Sequence, residues 1–239
     1  MYTRRRGALA HCRGMQHDLS TLLVTGFEPF GGDTVNPSEL VAAALHGSVV
    51  EARGRQARVV AQRLPCAFGD ARARLAAAVD EWRPVAVLAL GLAAGRAGLT
   101  PERVAVNLAD ARIADNAGGQ PADQPVVSQG PAAYFTTLPV KAMVAAMRAA
   151  GAPAELSLSA GSFVCNELFY GLMHHLATAG PAACRGGFMH LPLLPAQAAG
   201  PAGLRPSVAL DLQVAAAAAA LQAVLAHEHD IAAAGGSIA

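Results

Sequence analysis

Lysine and charged residues in general are scarce in this chain of 239 residues. Lysine occurs once, at Lys141, and charged residues make up 15% of the sequence, with a formal net charge of +1. This balance excludes the basic face that nucleic acid or an anionic membrane would require, so we expect neither as a partner. Because hydrophobic residues make up 53%, the chain as a whole is not intrinsically disordered.

Patterned cysteines and long apolar runs are also missing. The four cysteines, at positions 12, 66, 165 and 184, form no CxxC pair and no metal-type spacing. They predict neither a disulfide framework nor a metal site, and they favour a reducing cytoplasm. The longest apolar run, from Val214 to Ala226, is interrupted by Gln222 and falls short of the about 20 residues that span a bilayer.

The start of the chain is polar and unpatterned. Arginines 4–6 resemble the charged part of a signal peptide, but the apolar stretch of about 7–15 residues that should follow is absent. We interpret residues 1–20 as a disordered extension, or as the result of a start codon placed too early, with Met15 the true start. No Pro/Gly/Ser-rich linker divides residues 21–239, which predicts a single domain.

From residue 21 onward, short apolar runs alternate with helical patterns. The runs predict strands at 21–25, 58–64, 85–90, 103–108, 155–159 and 187–191, and helices at 37–46, 70–82, 131–150, 161–177 and 208–229. This alternation predicts an α/β fold, a three-layer α/β/α sandwich with a mainly parallel twisted central sheet. Ligands bind at the carboxyl ends of the strands in such folds, so we examine the residues that follow each strand.

The first strand is followed by a loop with three glycines, residues 26–33. It lacks the Lys-Ser/Thr ending of a phosphate-binding P-loop and the GxGxxG dinucleotide pattern. Phe27 and Phe30 either anchor this loop to the core or form the wall of an apolar pocket. The residues alone leave both interpretations open.

Three residues at neighbouring strand ends could form a Cys–His–acid set. Cys165 falls in the first turn of a predicted helix, where a thiol is either a nucleophile with a lowered pKa or a small buried hydrophobe. His190, at the end of the last strand, is either a core histidine or a general base. Glu102 is either a solvated charge or the carboxylate that orients the histidine. These alternatives stay open, and nothing in the spacing specifies a substrate.

Four segments, in order, resemble the pyroglutamyl peptidase type I family of cysteine peptidases. They are residues 23–32 (LVTGFEPFGG), residues 95–96 together with 102–107 and 110–116 (GR, ERVAVN and DARIADN), residues 157–166 (SLSAGSFVCN) and residues 187–192 (GFMHLP). Any one could arise by chance, but four in the family order, with a reactive residue in each of the last three, are specific. The likeness covers nearly the whole chain from about residue 22.

The resemblance implies an enzyme that removes the N-terminal pyroglutamyl (5-oxoprolyl) residue from peptides through a thioester acyl-enzyme. It implies Cys165 as nucleophile, His190 as base and Glu102 as the third member of the triad, with Arg112 near the oxyanion. It also implies no metal or cofactor, a cytoplasmic location and a homotetramer. The positions it implies for the substrate pocket are Phe27, Phe30, Asn36, Leu92, Ile113, Phe163 and Val164.

Two departures from the family pattern keep other functions open. Leu92 stands where many members have glutamine, and Ala114 stands where proline is common. They motivate an alternative in which a catalytically weak homologue binds N-terminally capped peptides. A nucleoside phosphorylase or another hydrolase on a similar sheet is a third interpretation, which rests on fold analogy alone.

Overall fold

A six-stranded sheet organises the protein in the computed structural model, which describes residues 19–200 and 203–236. The strands are β1 (Ser20–Phe27), β2 (Val49–Ala52), β3 (Arg55–Leu64), β4 (Ala86–Leu92), β5 (Thr100–Pro101), β6 (Val104–Val106), β7 (Ala133–Phe135), β8 (Arg185–Leu191), β9 (Ala199–Gly200) and β10 (Gly203–Leu204). The helices are α1 (Pro37–Leu45), α2 (Asp70–Trp82), α3 (Val140–Ala149), α4 (Val164–Thr178), α5 (Pro195–Ala198) and α6 (Leu210–Ala226). The predicted extension, apart from its last two residues, lies outside the described part. Ser20 already belongs to β1.

The strand order in the main sheet is β2-β3-β1-β4-β8-β5. Its centre is parallel, since β1 pairs in parallel with both β3 and β4, and β4 pairs in parallel with β8. The two edge strands, β2 and β5, are antiparallel to their neighbours. Two small antiparallel sheets, β6–β7 and β9–β10, lie outside the main one. The predicted α/β class and the mainly parallel sheet are therefore confirmed.

Both faces of the central strands are buried, which explains why their sequences are apolar without alternation. Along β1, Leu22 and Val24 belong to one hydrophobic cluster, while Leu23 between them belongs to another. The first cluster draws on α1, α3 and α6, and the second on α2 and α4. The sheet is thus the middle of the three layers, and loops at its carboxyl edge are supported from both sides.

The predicted helix over 131–150 is wrong in its first part. Ala133–Phe135 is strand β7, antiparallel to β6, and α3 begins only at Val140, after Pro139. Aromatic and β-branched residues occupy 134–137 and favour extended backbone. The Thr136 amide donates to Arg103 O and the Thr137 amide to Gly186 O, so tertiary hydrogen bonds hold this segment out of the helix.

The predicted strand over 155–159 is reduced to isolated bridges. Ala154 pairs with Leu99 and Ser157 with Glu102, both in parallel orientation. The neighbouring strand β5 is too short to continue the ladder, and its Pro101 has no amide hydrogen to donate. Strand β2, which the sequence analysis did not predict, forms a hairpin with β3.

Helix α4 begins three residues later than predicted. Gly161 adopts a left-handed turn (φ 79°), and the helix starts at Val164 after Phe163. Ser162 precedes this helix but does not cap it, because its hydroxyl donates to Asp110 O at 2.7 Å. Cys165 is nevertheless in the first turn, as predicted.

Candidate active site

The three candidate catalytic residues lie on segments that meet at the carboxyl edge of the sheet. His190 is the next-to-last residue of β8, and Glu102 directly follows β5, which pairs with β8. Cys165 is the second residue of α4. The parallel register places Gly91 of β4 opposite His190, and Gly91 also lies against the Cys165 sulfur. The structure therefore gathers all three residues around the ends of β4 and β8.

Glu102 and His190 form a buried hydrogen-bonded pair. Their side chains are 0% and 5% exposed, and His190 Nδ1 lies 2.7 Å from Glu102 Oε1. The Phe188 ring packs edge-on against the imidazole, with the centroids 4.9 Å apart. An ionised carboxylate only accepts hydrogen bonds, so Nδ1 donates and Nε2 remains free as a base.

Arg96 completes this pair, and the sequence analysis assigned it no role. Its Nη2 lies 3.0 Å from Glu102 Oε1, the oxygen that also accepts from His190. It further donates to Thr100 Oγ1 at 2.7 Å and to Ser159 O at 3.0 Å. The only sequence signal was its place after Gly95 in a segment that resembles the family.

The Cys165 thiol lies against Gly91, which has no side chain. A Cβ placed on Gly91 would be 2.9 Å from the Cys165 sulfur and 2.6 Å from Phe188 Cζ, so only glycine fits there without displacing either group. Cys165 is partly exposed. Within the described residues it makes no hydrogen bond to His190.

Burial leaves both reactive groups neutral near pH 7. Desolvation raises the pKa of the Cys165 thiol, with Cys66 and Glu102 adding to the rise and Arg96 opposing it. Desolvation also lowers the pKa of His190 below 6.5, against the opposing effect of Glu102. The site therefore holds a thiol and an imidazole rather than a preformed thiolate–imidazolium pair.

Three aromatic rings cluster around Phe163, which precedes Cys165 by two residues in the chain. Phe163 lies between Phe30, at 6.1 Å between ring centroids, and Phe68, at 5.2 Å in an edge-on arrangement. Phe68 was not among the predicted pocket residues. It follows β3 at the same sheet edge, and its amide is fixed by Asp115 Oδ2 at 2.7 Å.

The other predicted pocket residues occupy different depths. Phe27, Leu92 and Val164 are buried, whereas Ile113 is 51% exposed. Asn36 is buried and supports the loop, since its Oδ1 caps α1 at the Ser38 amide and its Nδ2 donates to Glu28 O at 3.0 Å.

The structure does not bring Arg112 into contact with the triad. Arg112 is exposed, and in the part of the chain that is described its guanidinium has no hydrogen-bond partner. The loop that carries it is ordered by Asp115, whose carboxylate accepts from the amides of Phe68, Ala117 and Gly119.

Residues 19–200 and 203–236 contain neither a cluster of metal ligands nor a helix that could span a membrane. There, no three His, Cys, Asp or Glu side chains lie close enough together to hold a metal ion. No helix in the same part is long and apolar enough to cross a membrane.

The family model for pyroglutamyl peptidase matches residues 20–227 of this chain. The chain belongs to the pyroglutamyl peptidase family. The pyrrolidone-carboxylate peptidase of Escherichia fergusonii is 49% identical over 219 residues, which cover 92% of this chain and 99% of that protein. The same-named protein of Cupriavidus taiwanensis is 50% identical over 220 residues, which cover 92% and 100%.

A solved structure from the pyroglutamyl peptidase family has the same fold. The crystal structure of pyroglutamyl peptidase I from Bacillus amyloliquefaciens has a TM-score of 0.84 and 42% identity, covering 89% of this chain and 100% of that one. The resemblance stated from sequence is confirmed, and the phosphorylase interpretation is set aside. Membership of the pyroglutamyl peptidase family makes the protein a cysteine-type hydrolase.

Proposed function

We propose that this protein hydrolyses the peptide bond that follows an N-terminal pyroglutamyl residue, with Cys165 as nucleophile, His190 as base and Glu102 as the residue that orients it. The observation that carries the proposal is the arrangement around Cys165. The thiol lies in the first turn of α4 and against Gly91, which pairs in register with His190, and His190 is held by Glu102 at 2.7 Å.

The first step uses the free nitrogen of His190. His190 Nε2 takes the thiol proton as the Cys165 sulfur bonds to the pyroglutamyl carbonyl carbon. Because both groups start neutral, proton transfer accompanies attack. Glu102 stabilises the imidazolium that forms, as the acid does in other triads.

The start of α4 supplies donors for the oxyanion. The amides of the first helical turn have no partner inside the helix, and no side chain of the described residues caps this end. They can therefore bind the negative oxygen of the tetrahedral intermediate, with Arg112 as a further donor once substrate orders its side chain. Losing one oxyanion donor costs about 10²–10³ in kcat in other proteases.

The intermediate collapses to a thioester. The C–N bond breaks as protonated His190 gives its proton to the departing amine. His190 then deprotonates a water molecule, which attacks the thioester, and the cysteine leaves as the thiol. Pyroglutamate and the shortened peptide are the products, and no metal or cofactor enters any step.

The aromatic cluster suits the substrate ring. A pyroglutamyl residue is a neutral lactam, whereas an N-terminal proline carries a charged secondary amine. Phe30, Phe68 and Phe163 offer apolar faces and no charge, which favours the lactam. Buried Leu92 adds a further apolar side chain at the end of β4.

The test is release of a chromophore from pyroglutamyl-anilide, with prolyl-anilide as the control substrate. We expect selective turnover by the wild type and none by Cys165→Ala. Cys184→Ala is the matched control, because Cys184 is also a partly exposed free cysteine but lies next to β8 far from its carboxyl end. Wild-type rate in Cys165→Ala would overturn the assignment of the nucleophile.

A binding protein without turnover is the other outcome that this assay distinguishes. Calorimetric binding of a pyroglutamyl peptide by folded, reduced wild type, with no product released, would contradict the hydrolase proposal. Leu92→Gln, which restores the residue common in the family, would then show whether that position is the cause.

The family resemblance also supports three finer proposals. We propose that the protein is cytoplasmic and a homotetramer, and that residues 21–239 form a single domain preceded by an extension. Light scattering during size exclusion measures the assembly, and a mass other than four subunits would contradict it. Limited proteolysis of the native protein tests the extension, since cleavage should be confined to residues before β1.

A further inference from the structure

Arg96 makes three contacts that join separate parts of the site. Its guanidinium bonds Glu102 Oε1 at 3.0 Å, Thr100 Oγ1 at 2.7 Å and Ser159 O at 3.0 Å. Glu102 and Thr100 belong to the β5 region, whereas Ser159 belongs to the segment that leads into α4 and Cys165. One side chain therefore connects the carboxylate to the segment that carries the nucleophile.

Glu102 needs a positive partner where it lies. Its side chain is fully buried, and its Oε2 has no hydrogen-bond partner among the described residues. Burying a carboxylate is costly unless nearby charges and donors replace the water that it has lost. His190 is neutral at rest, so Arg96 is the cation in contact with this carboxylate in the described structure.

We propose that Arg96 is a positioning residue for hydrolysis, which holds the Glu102 carboxylate oriented toward His190 and fixes the segment before Cys165. The proposal rests on the proposed function of Cys165 and His190. Arg96 acts through Glu102 and the Ser159 carbonyl, and it does not need to touch the substrate.

Loss of the Arg96 charge has a definite effect on the titration of the site. The titratable groups around His190 are Glu102, which follows β5, Arg96, which precedes β5, and Cys165 on α4. Cys66, which follows β3, raises the pKa of Cys165. The Arg96 cation lowers the pKa of both His190 and Cys165. Its removal should therefore move both limbs of the pH profile of kcat/KM to higher pH.

A solvent-open groove makes Arg96 accessible to a small cation. The groove has a volume of about 1110 Å³, and Arg96, Lys141 and Arg148 line it. The Arg96 side chain is 25% exposed toward solvent. Guanidinium added to Arg96→Ala can therefore enter the vacated position beside Glu102.

Arg148 provides a matched control from the same groove. Like Arg96, it donates to a backbone carbonyl, Ala154 O, at 2.7 Å, in the segment that leads toward α4. It makes no contact with Glu102 in the described residues. Arg148→Ala removes the same volume and charge from the groove and leaves the carboxylate pair intact.

The experiment measures pH profiles of kcat/KM for the wild type, Arg96→Ala, Arg96→Lys and Arg148→Ala. We expect Arg96→Ala to lose about 10–100-fold, the range that loss of an orienting outer partner costs at metal sites. Millimolar guanidinium should restore part of this loss. Arg96→Lys should keep the pKa values of the wild-type pH profile but have a lower kcat/KM, because one ammonium cannot reach all three acceptors. Arg148→Ala should match the wild type.

A second measurement does not depend on turnover. The His190 imidazole is titrated by NMR in the wild type and both Arg96 variants, with His190→Gln used to assign its signal. We expect the His190 pKa to rise in Arg96→Ala and to stay near the wild-type value in Arg96→Lys. An unchanged His190 pKa in folded Arg96→Ala would overturn the inference. A fall in kcat/KM by the same factor at every pH, with no shift of the pH profile, would also overturn it. If the wild type has no turnover, the proposed function fails, and the NMR titration still decides the role of Arg96.

Discussion

Adding one methyl group at Gly91 should disturb the Cys165 thiol more than it disturbs the fold. The new Cβ of Gly91→Ala would lie 2.9 Å from the Cys165 sulfur and 2.6 Å from Phe188 Cζ. Ordinary contact begins near 3.4 Å, so the sulfur must retreat by about 0.5 Å or more. The Phe188 ring must move as well, and it packs against His190. One displacement falls on the proposed nucleophile and the other on the ring that packs against the proposed base.

The magnitudes separate an effect on the site from an effect on stability. Overpacking of this kind costs about 1–3 kcal/mol, and each kcal/mol lowers Tm by about 2–4 °C in a protein of this size. A misplacement of about 1 Å can cost 10²-fold in rate. We expect Gly91→Ala to remain folded at 25 °C and to lose about 10–100-fold in kcat/KM on pyroglutamyl-anilide.

Gly186→Ala is the control for this prediction. Its Cβ would lie 2.6 Å from Leu176 Cδ1, a similar overlap on neighbouring β8, four residues before His190. We expect a comparable fall in Tm with kcat/KM near the wild-type value. Wild-type kcat/KM in folded Gly91→Ala would refute the placement of Cys165 against β4.

Three further predictions concern the acid, the base and the cap of α3. Glu102→Gln preserves the shape of the side chain but removes the charge that selects the His190 tautomer. We expect kcat, measured by steady-state kinetics, to fall by up to about 10⁴-fold, as for the equivalent change in a Ser–His–Asp site. A loss below threefold would contradict the orienting role. Burial lowers the pKa of His190, so below pH 6.5 the unfolded chain binds a proton at this residue more readily than the folded protein does. His190 therefore contributes to stability above that pH, and this contribution is lost as the pH falls toward the pKa of the folded state. Thermal melts against pH should show this fall in the wild type and a smaller one in His190→Gln; identical slopes would contradict it. Asp230 accepts from the amides of Lys141 and Ala142 at 3.0 Å each and so caps α3 from the other end of the chain. Asp230→Ala should lose about 0.5–2 kcal/mol of stability in denaturant unfolding, with kcat/KM unchanged; an unchanged midpoint would rule out the cap.

The sequence signals that succeeded were local. Mostly apolar runs ending in glycine or proline marked β1, β4 and β8 correctly, because a strand buried on both faces carries mainly apolar side chains. Asn36 followed by proline predicted the start of α1, and Asn36 does cap it. The placement of Cys165 in the first turn of a helix was also readable from the residues alone.

The signals that failed were overridden by tertiary contacts. The helix predicted over 131–150 does not form in residues 131–139, because Thr136 and Thr137 bond to Arg103 and Gly186, which lie far away in the chain. Ser162 has the side chain of a helix cap, but Asp110 O takes its hydroxyl. No local pattern records such competition between a residue's own segment and a distant partner.

The sequence by itself determined the layered α/β fold, the order of the strands' apolar runs and the chemical identity of the three candidate catalytic residues. Only the tertiary structure decided how these residues meet. It brought Arg96 onto the Glu102 oxygen that His190 shares, placed Phe68 against Phe163, and left Arg112 exposed with no hydrogen-bond partner among the described residues. The reason is physical. Backbone preferences and apolar periodicity act over a few residues, whereas the burial of a charge and the packing of a ring depend on groups that the fold brings together from distant parts of the chain.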